Sequence, residues 1–343
     1  EMIESRNTRV QLYWNTLVRI PAQIINFVIS ILVARILMPR DFGIMGISMM
    51  LIGYSNLFTN FGFAEAIIQK NIHDRKILNS IFTFNLFISS LLAVGFYFAA
   101  GLIADFFKTP ECMKVIRVMS LVFIISSFPV VPSSILRRDM NFKVVAVFDL
   151  IQAVLMSVIT LLLAYKGFGY WALVYGQIVP LTIISLLLCV KVKFFPILYY
   201  KNNIMKEIYN FGGWNFFRVQ LLFISQHVDR FIVGKWLGPV NLGFYDKAIT
   251  LSATPCNALI MNINSVMFSS FSIDKENPTR LQETFQKSLA LLSFINFPLY
   301  LGLIAVAPHF VHSLLGNKWV PMIIPFQIIL TGFIFRSFMG IAT

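Results

Sequence analysis

Apolar runs long enough to cross a bilayer follow one another along the whole chain, separated by short polar breaks. Crossing ~30 Å of hydrocarbon as an α-helix takes about 20 residues at 1.5 Å each. The pattern predicts ten such spans, near residues 12–37, 43–67, 78–104, 113–136, 144–165, 170–190, 211–236, 243–270, 285–312 and 320–341. They leave no room for a separate soluble domain. In the longest gap, 191–210, the run "NNIMKEIYNF" reads as a short interfacial helix. The first apolar run is too long for the core of a cleaved leader, and no small-residue cleavage site follows it.

Composition agrees with lipid as the solvent. Hydrophobic residues make up 57% of the chain and charged residues only 13%, about half the share in a soluble domain. Mean hydropathy is +0.76. The net charge of +13 suggests nucleic acid until its distribution is followed. The N-terminus and the even-numbered loops carry 15 of the Lys and Arg residues. The odd-numbered loops carry 7: Arg35, Arg40, Lys108, Lys114, Lys166, Lys235 and Lys318. Such a bias places the N-terminus and even loops in the cytoplasm and the short odd loops outside. Tyr165, Phe168, Tyr170 and Trp171 then fit an outer aromatic belt. Cys112, Cys189 and Cys256 are scattered and form neither a disulfide framework nor a metal cluster.

One polar corner occurs twice. "ARILMPRDFGIMG" at 34–46 returns as "GKWLGPVNLGFYD" at 234–246, with Leu37, Pro39 and Gly43 matched by Leu237, Pro239 and Gly243. "WN" stands at 14–15 and again at 214–215. An even number of spans separates the copies, so the two halves run the same way across the membrane as parallel repeats. The expected organisation is a six-helix lobe over 1–200 and a second, incomplete lobe of about four helices over 201–343. In each corner the proline is expected to stop the preceding helix and the glycine to allow close packing at the turn. A repeat unit of 200 residues implies that the sequence is a piece of a longer protein.

Polar side chains inside spans call for a reason. Asn15, Arg19, Gln23, Asn26 and Ser30 lie at about 0°, 40°, 80°, 20° and 60° around the first helix, in one narrow stripe. The seventh span repeats it with Asn215, Arg218, Ser225, Gln226 and Asp229. Thr250, Thr254, Asn257 and Asn264 share a face of the eighth, and Ser48, Ser55 and Thr59 lie on the second. Matching stripes on matching helices suggest a shared wet cavity. The plainer alternative is hydrogen bonding between helices, which suits Ser and Thr well. For Arg19, Arg218 and Asp229 the cost of burying charge favours a cavity role over snorkelling to the inner surface. Trp14 and Trp214 fit interface anchors equally well. His309 and His312 are spaced i,i+3 but have no carboxylate or thiol near them in sequence, which argues against a metal. Asp149 and Arg336 are further intramembrane charges whose pairing the sequence leaves open. No phosphate-binding GxxxxGK[ST] loop occurs, and no Ser–His–Asp, Cys–His or paired-carboxylate set is present. The chain therefore reads as a non-enzyme with no resident cofactor, and proton or sodium coupling stays open.

The motifs occur in a recognisable order. They are "ARILMPRDFGIMGI", "NFGFAEAIIQK" (60–70), "ILRRDMNFK" (135–143), "GFGYWALVYG" (167–176), "YNFGGWN" (209–215), "QHVDRFIVGKWLGPVNLGFYDKA" (226–248) and "LLGNKWVPMIIPFQIIL" (314–330). In this series the chain resembles the bacterial polysaccharide exporters. These are the oligosaccharide flippases of the multidrug/oligosaccharidyl-lipid/polysaccharide exporter superfamily, and the colanic-acid and O-antigen type is the most similar. The resemblance implies an all-α polytopic membrane protein with two six-helix lobes, sometimes with two extra helices. Here the second lobe is cut short. Glu65 stands where related sequences carry a small residue. The implied substrate is an oligosaccharide joined through diphosphate to a polyprenyl lipid, and the implied site is the cytoplasmic membrane. Arginines suit a diphosphate, and Asn and Gln suit sugar hydroxyls. Two rigid hairpins rocking against each other would give alternating access. Rival readings are a multidrug or other lipid-headgroup exporter of the same fold, and a membrane-embedded polymerase or glycosyltransferase. The latter class would be expected to carry a large outer loop with catalytic acids.

Overall fold

The structure is a computed structural model that describes residues 25–59, 63–200, 220–273 and 278–342. Every regular element among these residues is helical. Helix α1 covers Ile25–Ile36. It is followed by α2 (Pro39–Thr59), α3 (Phe63–Gln69), α4 (Arg75–Phe106), α5 (Glu111–Met119), α6 (Leu121–Arg138), α7 (Phe142–Tyr165) and α8 (Tyr170–Val192). Helix α9 runs from 220 to 232 and ends in a π-helical turn, Val233–Leu237. Then come α10 (Gly238–Ile273), α11 (Pro278–Phe310), a second π turn (Val311–Leu315), a 3₁₀ segment (Asn317–Met322) and α12 (Ile323–Ala342). Among the described residues, 6 helices are long and apolar enough to cross a membrane. The expected spans at 78–104, 144–165 and 170–190 coincide with α4, α7 and α8. The span at 113–136 is built from α5 and α6, which meet at Ser120. Its hydroxyl donates to the Arg117 carbonyl at 2.7 Å.

The chain divides into two compact units, Glu1–Val240 and Asn241–Thr343. In the first, α3 docks Phe63, Ala66 and Ile67 against Leu78, Ile81 and Phe82 of α4 and Val131 of α6. Val33 and Leu37 pack with Ala164 of α7 and Ala172 of α8. Leu136, Ile184 and Leu188 tie α6 to α8. In the second unit, hydrogen bonds to backbone carbonyls join the helices. The Tyr300 hydroxyl donates to Ser252 O at 2.9 Å, Asn296 Nδ2 to Ile334 O at 3.0 Å and Gln327 Nε2 to Ile304 O at 3.0 Å. Such bonds satisfy polar groups where water is absent.

The expected interfacial helix at "NNIMKEIYNF" lies outside the described residues. The connector before it, 194–200, has no regular secondary structure. It is held along one stripe of α4. Arg75 donates to Lys193 O at 2.9 Å, Asn79 Oδ1 accepts from Ile197 N at 3.3 Å and Thr83 Oγ1 accepts from Tyr199 N at 3.0 Å. Positions 75, 79 and 83 share a helix face. Residues 197 and 199 alternate with 198, so both N–H groups point to the same side.

Candidate functional site

The proline expectation needs correcting. Pro39 and Pro239 do not stop a helix; each opens the next one. Helix α1 ends at Ile36, residues 37 and 38 break the spiral, and Pro39 is the first residue of α2. A first-turn proline loses nothing there, because its N–H would have no intrahelical partner. Met38 N donates to Asp41 Oδ2 at 2.8 Å, so the third residue of α2 caps back onto the residue before the helix. In the second copy the π turn closes at Leu237, Gly238 takes φ 79°, and Pro239 follows in the first turn of α10.

The two corners meet. A Cβ on Gly43 would stand 1.6 Å from the Pro239 carbonyl oxygen. Only hydrogen at that position lets the backbones approach so closely. About three turns along α2, a Cβ on Gly53 would stand 3.0 Å from the ring of Phe223 on α9. Helix α2 and the helix leading into the second corner therefore face each other along much of their length. Gly243 is buried in the second unit.

Beside the meeting point lies an aromatic cluster. The ring of Phe231 sits 5.4 Å from Phe106 and 5.5 Å from Phe107, at the C-terminal end of α4. Lys235 donates to the Phe106 carbonyl and places its ammonium 3.7 Å from the Phe106 ring centroid. The carbonyl is one of the last of α4, where a cation also meets the negative end of the helix dipole. Arg40 bridges to Glu111 at 2.6 Å. The sequence reading places Lys235 in the repeated corner as a loop cation and Phe231 within a family motif, and gives neither a partner. Their meeting depends on tertiary packing that no single-helix pattern encodes.

Of the expected stripe residues, Asn15, Arg19, Gln23, Asn215 and Arg218 lie outside the described residues, as do Trp14 and Trp214. The side chains of Ser55, Thr59, Glu65, Asn257 and Asn264 are likewise outside them. Asn26 Oδ1 accepts from the Ser157 hydroxyl of α7 at 2.5 Å, an interhelical bond within the first unit. Ser48 donates to Ile44 O of its own helix at 3.0 Å. On α9, Ser225 and Gln226 are exposed and Asp229 is half-buried, with Oδ1 accepting from Arg230 N at 2.8 Å. The opposite side of α9 carries Gln220, 7% exposed. Among the described residues, neither of its amide atoms has a hydrogen-bond partner. Arg336 lies over the Phe333 ring at 5.2 Å. His309 and His312 join no group of three or more potential metal ligands among the described residues.

Comparison with known proteins places this geometry. The model of a family described as "Polysaccharide biosynthesis protein" matches residues 32–324, most of the chain. The chain belongs to that family. The Bacillus subtilis teichuronic acid biosynthesis protein TuaB is 23% identical over 286 residues, 78% of this chain and 56% of that protein. The Rhizobium meliloti succinoglycan biosynthesis transport protein ExoT is 24% identical over 306 residues, 89% of this chain and 62% of that protein. The chain thus spans somewhat under two thirds of the length of these two relatives. In fold it resembles the lipid II flippase MurJ in an inward closed conformation. The TM-score is 0.76 at 16% identity, over 96% of this chain and 76% of that one. An inward-facing multidrug resistance transporter of the MATE family gives a TM-score of 0.62 at 15% identity, over 95% of this chain and 84% of that one. The polysaccharide-family protein is an all-α, multi-pass membrane protein with a transporter fold.

Proposed function

We propose that the complete protein moves a polyprenyl-diphosphate-linked oligosaccharide from the inner to the outer leaflet of the cytoplasmic membrane by alternating access. The family match across residues 32–324 carries this reading. The names of TuaB and ExoT tie those relatives to glycan biosynthesis and transport. The absence of a nucleotide-hydrolysis or acyl-transfer motif agrees with a carrier rather than an enzyme. Residues 1–200 and 201–343 form the first lobe and the beginning of the second. The N-terminus and even loops are cytoplasmic, following the 15-to-7 bias of basic residues. The contact of Gly43 with the Pro239 carbonyl, and of Phe231 and Lys235 with the end of α4, is then a closed outer gate.

Inside the cavity, Arg19 and Arg218 take the diphosphate, because a guanidinium meets phosphate oxygens in bidentate fashion. Asn15, Gln23, Asn26, Asn215, Gln226 and Asp229 line its path. The lipid tail stays in the bilayer. Replacing Arg19 or Arg218 with Ala removes a charge-assisted bond worth ~1.5–3 kcal/mol, so headgroup affinity falls roughly 10–150-fold. Binding of a polyprenyl-diphosphate glycan to the purified complete protein measures this. Unchanged affinity in both variants rejects the clamp. Orientation is read separately by impermeant thiol labelling in a Cys-free background. Position 167 labels from outside and position 73 does not; the reverse pattern overturns the topology.

A further inference from the structure

Inside the first unit a cleft of about 160 Å³ opens between α6 and α7, with α8 as its floor. Its polar lining is Ser133 and Arg137 from α6, Asp149 and Gln152 from α7, and Ser185 from α8; the rest of the lining, from Pro129 and Phe148 to Leu181 and Ile184, is apolar. On α7 the exposed apolar residues Val147, Ile151, Val158 and Leu162 share one side, and exposed Met156 lies near Asp149 on another. Asp149 lies roughly 160° round from Ile151, and Gln152 roughly 100°. On α8, Ser185 lies roughly 160° from exposed Ile183. The polar groups of α7 and α8 therefore lie away from the main exposed apolar stripes, near the end that carries Arg137, Arg138 and Lys143.

The sequence explains why the cleft exists. Pro129 and Pro132 remove two N–H donors from α6, which loosens the helix where it leaves α7. One freed carbonyl, Phe128 O, takes the Cys189 thiol of α8 at 3.8 Å instead. Of the adjacent arginines, Arg138 is spent on structure: it bonds Asp139 at 2.8 Å and the Ile72 carbonyl. Arg137 lines the cleft.

Charge decides what fits. The described lining carries one cation, Arg137, and one anion, Asp149. A neutral ligand with many hydroxyls suits both. The serines are already committed as donors, Ser133 to Val130 O at 3.2 Å and Ser185 to Leu181 O at 2.6 Å, so their oxygens offer acceptor lone pairs. Arg137 and Gln152 supply N–H donors, and Asp149 and the Gln152 carbonyl supply further acceptors. Donors and acceptors set among apolar walls match a sugar ring, whose hydroxyls do both and whose C–H face is apolar. The volume lies below the ~300–1,000 Å³ of drug-sized pockets, so one ring fits and a chain does not. We propose that this cleft is a sugar-ring subsite, which reads the sugar nearest the diphosphate of the lipid-linked substrate. The proposal rests on the glycolipid-export reading.

The test uses the complete protein in nanodiscs and three probes. They are bare polyprenyl diphosphate, the same lipid carrying one hexose, and the same lipid carrying one N-acetylhexosamine. The unmodified protein should bind one sugar-bearing lipid about tenfold more tightly than the bare lipid, the worth of one or two net hydrogen bonds. Gln152→Ala and Asp149→Asn should each erase most of that preference and leave binding of the bare lipid within about twofold. Ser133→Ala, a smaller change on another helix, should reduce the preference in the same direction, so the proposal does not depend on Asp149→Asn folding. A preference that survives in Gln152→Ala and Ser133→Ala overturns the subsite, as does no preference in the unmodified protein. Binding of none of the three lipids instead rejects the export reading itself, and the subsite with it.

Discussion

The corner at 34–46 and the corner at 234–246 share Leu, Pro and Gly at matched positions, yet they are built and buried differently. Leu37 is 3% exposed and packs into the cluster formed by α1, α7 and α8, whereas Leu237 is 60% exposed. The first corner breaks its helix over two residues and is pinned by Asp41 to Met38 N. The second winds through a π turn and reverses at Gly238, φ 79°. A third turn of the second kind follows α11. Val311–Leu315 forms a π turn that closes at Gly316, φ 93°. Where glycine stands after the leucine, the chain uses the left-handed region. Where methionine stands, as at Met38, it uses a side-chain cap. The duplicated sequence specifies that a turn occurs, and the local residue after leucine decides how. Burial is set by the neighbours each copy meets, so matched letters do not imply matched environments.

Gly43→Val attacks the point where the two corners touch and carries the largest expected effect. The obstacle is a backbone oxygen, which no rotamer change moves aside. The cost is ~1–3 kcal/mol or more, and the corners must separate. A disulfide between cysteines placed at 40 and 240 should form readily in an otherwise Cys-free complete protein and fail in the Gly43→Val background. With the gate reading, that disulfide also blocks export. Full transport with the bond intact excludes rocking at these corners.

Gly238→Ala comes next. A left-handed non-glycine residue costs ~1–2 kcal/mol, so thermal stability should fall clearly. Met38→Ala, at the matched site, should stay within about 0.5 kcal/mol. Equal losses from the two substitutions would remove the distinction between the turns.

Lys235→Met retains the aliphatic stem and removes the ammonium from the Phe106 carbonyl and ring. A cation–π contact at a partly exposed site contributes ~0.5–1 kcal/mol. With the gate reading, the variant should open that end more often. A cysteine at 107 should then label faster from outside, and an unchanged rate would make Lys235 a surface charge only. The smallest effect is expected from Asp41→Ala. It removes the reciprocal cap of the first corner at a cost near ~0.5–1 kcal/mol, below the loss expected from Gly238→Ala.

Much of the helical layout was legible because length and apolarity suffice. The edges of α4, α7 and α8 fall within three residues of the expected ones. The role of the prolines was not, since a proline after a break is equally consistent with ending one helix or starting another. The break at 37–38 settles it here. Asn26 shows the limit of stripe arguments: its place on the polar stripe was clear, but its bond to Ser157 required the register of α1 against α7. The Phe106–Phe231 contact joins residues 125 positions apart, and the cleft residues come from three helices. No periodicity within one helix reports such meetings.

Export of the lipid-linked glycan is most directly tested by transbilayer movement. The complete protein is reconstituted into vesicles with a polyprenyl-diphosphate oligosaccharide bearing a fluorescent sugar, and an impermeant quencher reports the exposed fraction over time. The account predicts crossing that depends on the protein and falls to near the protein-free rate in the Arg19→Ala, Arg218→Ala double variant. Crossing no faster than in protein-free vesicles would contradict it.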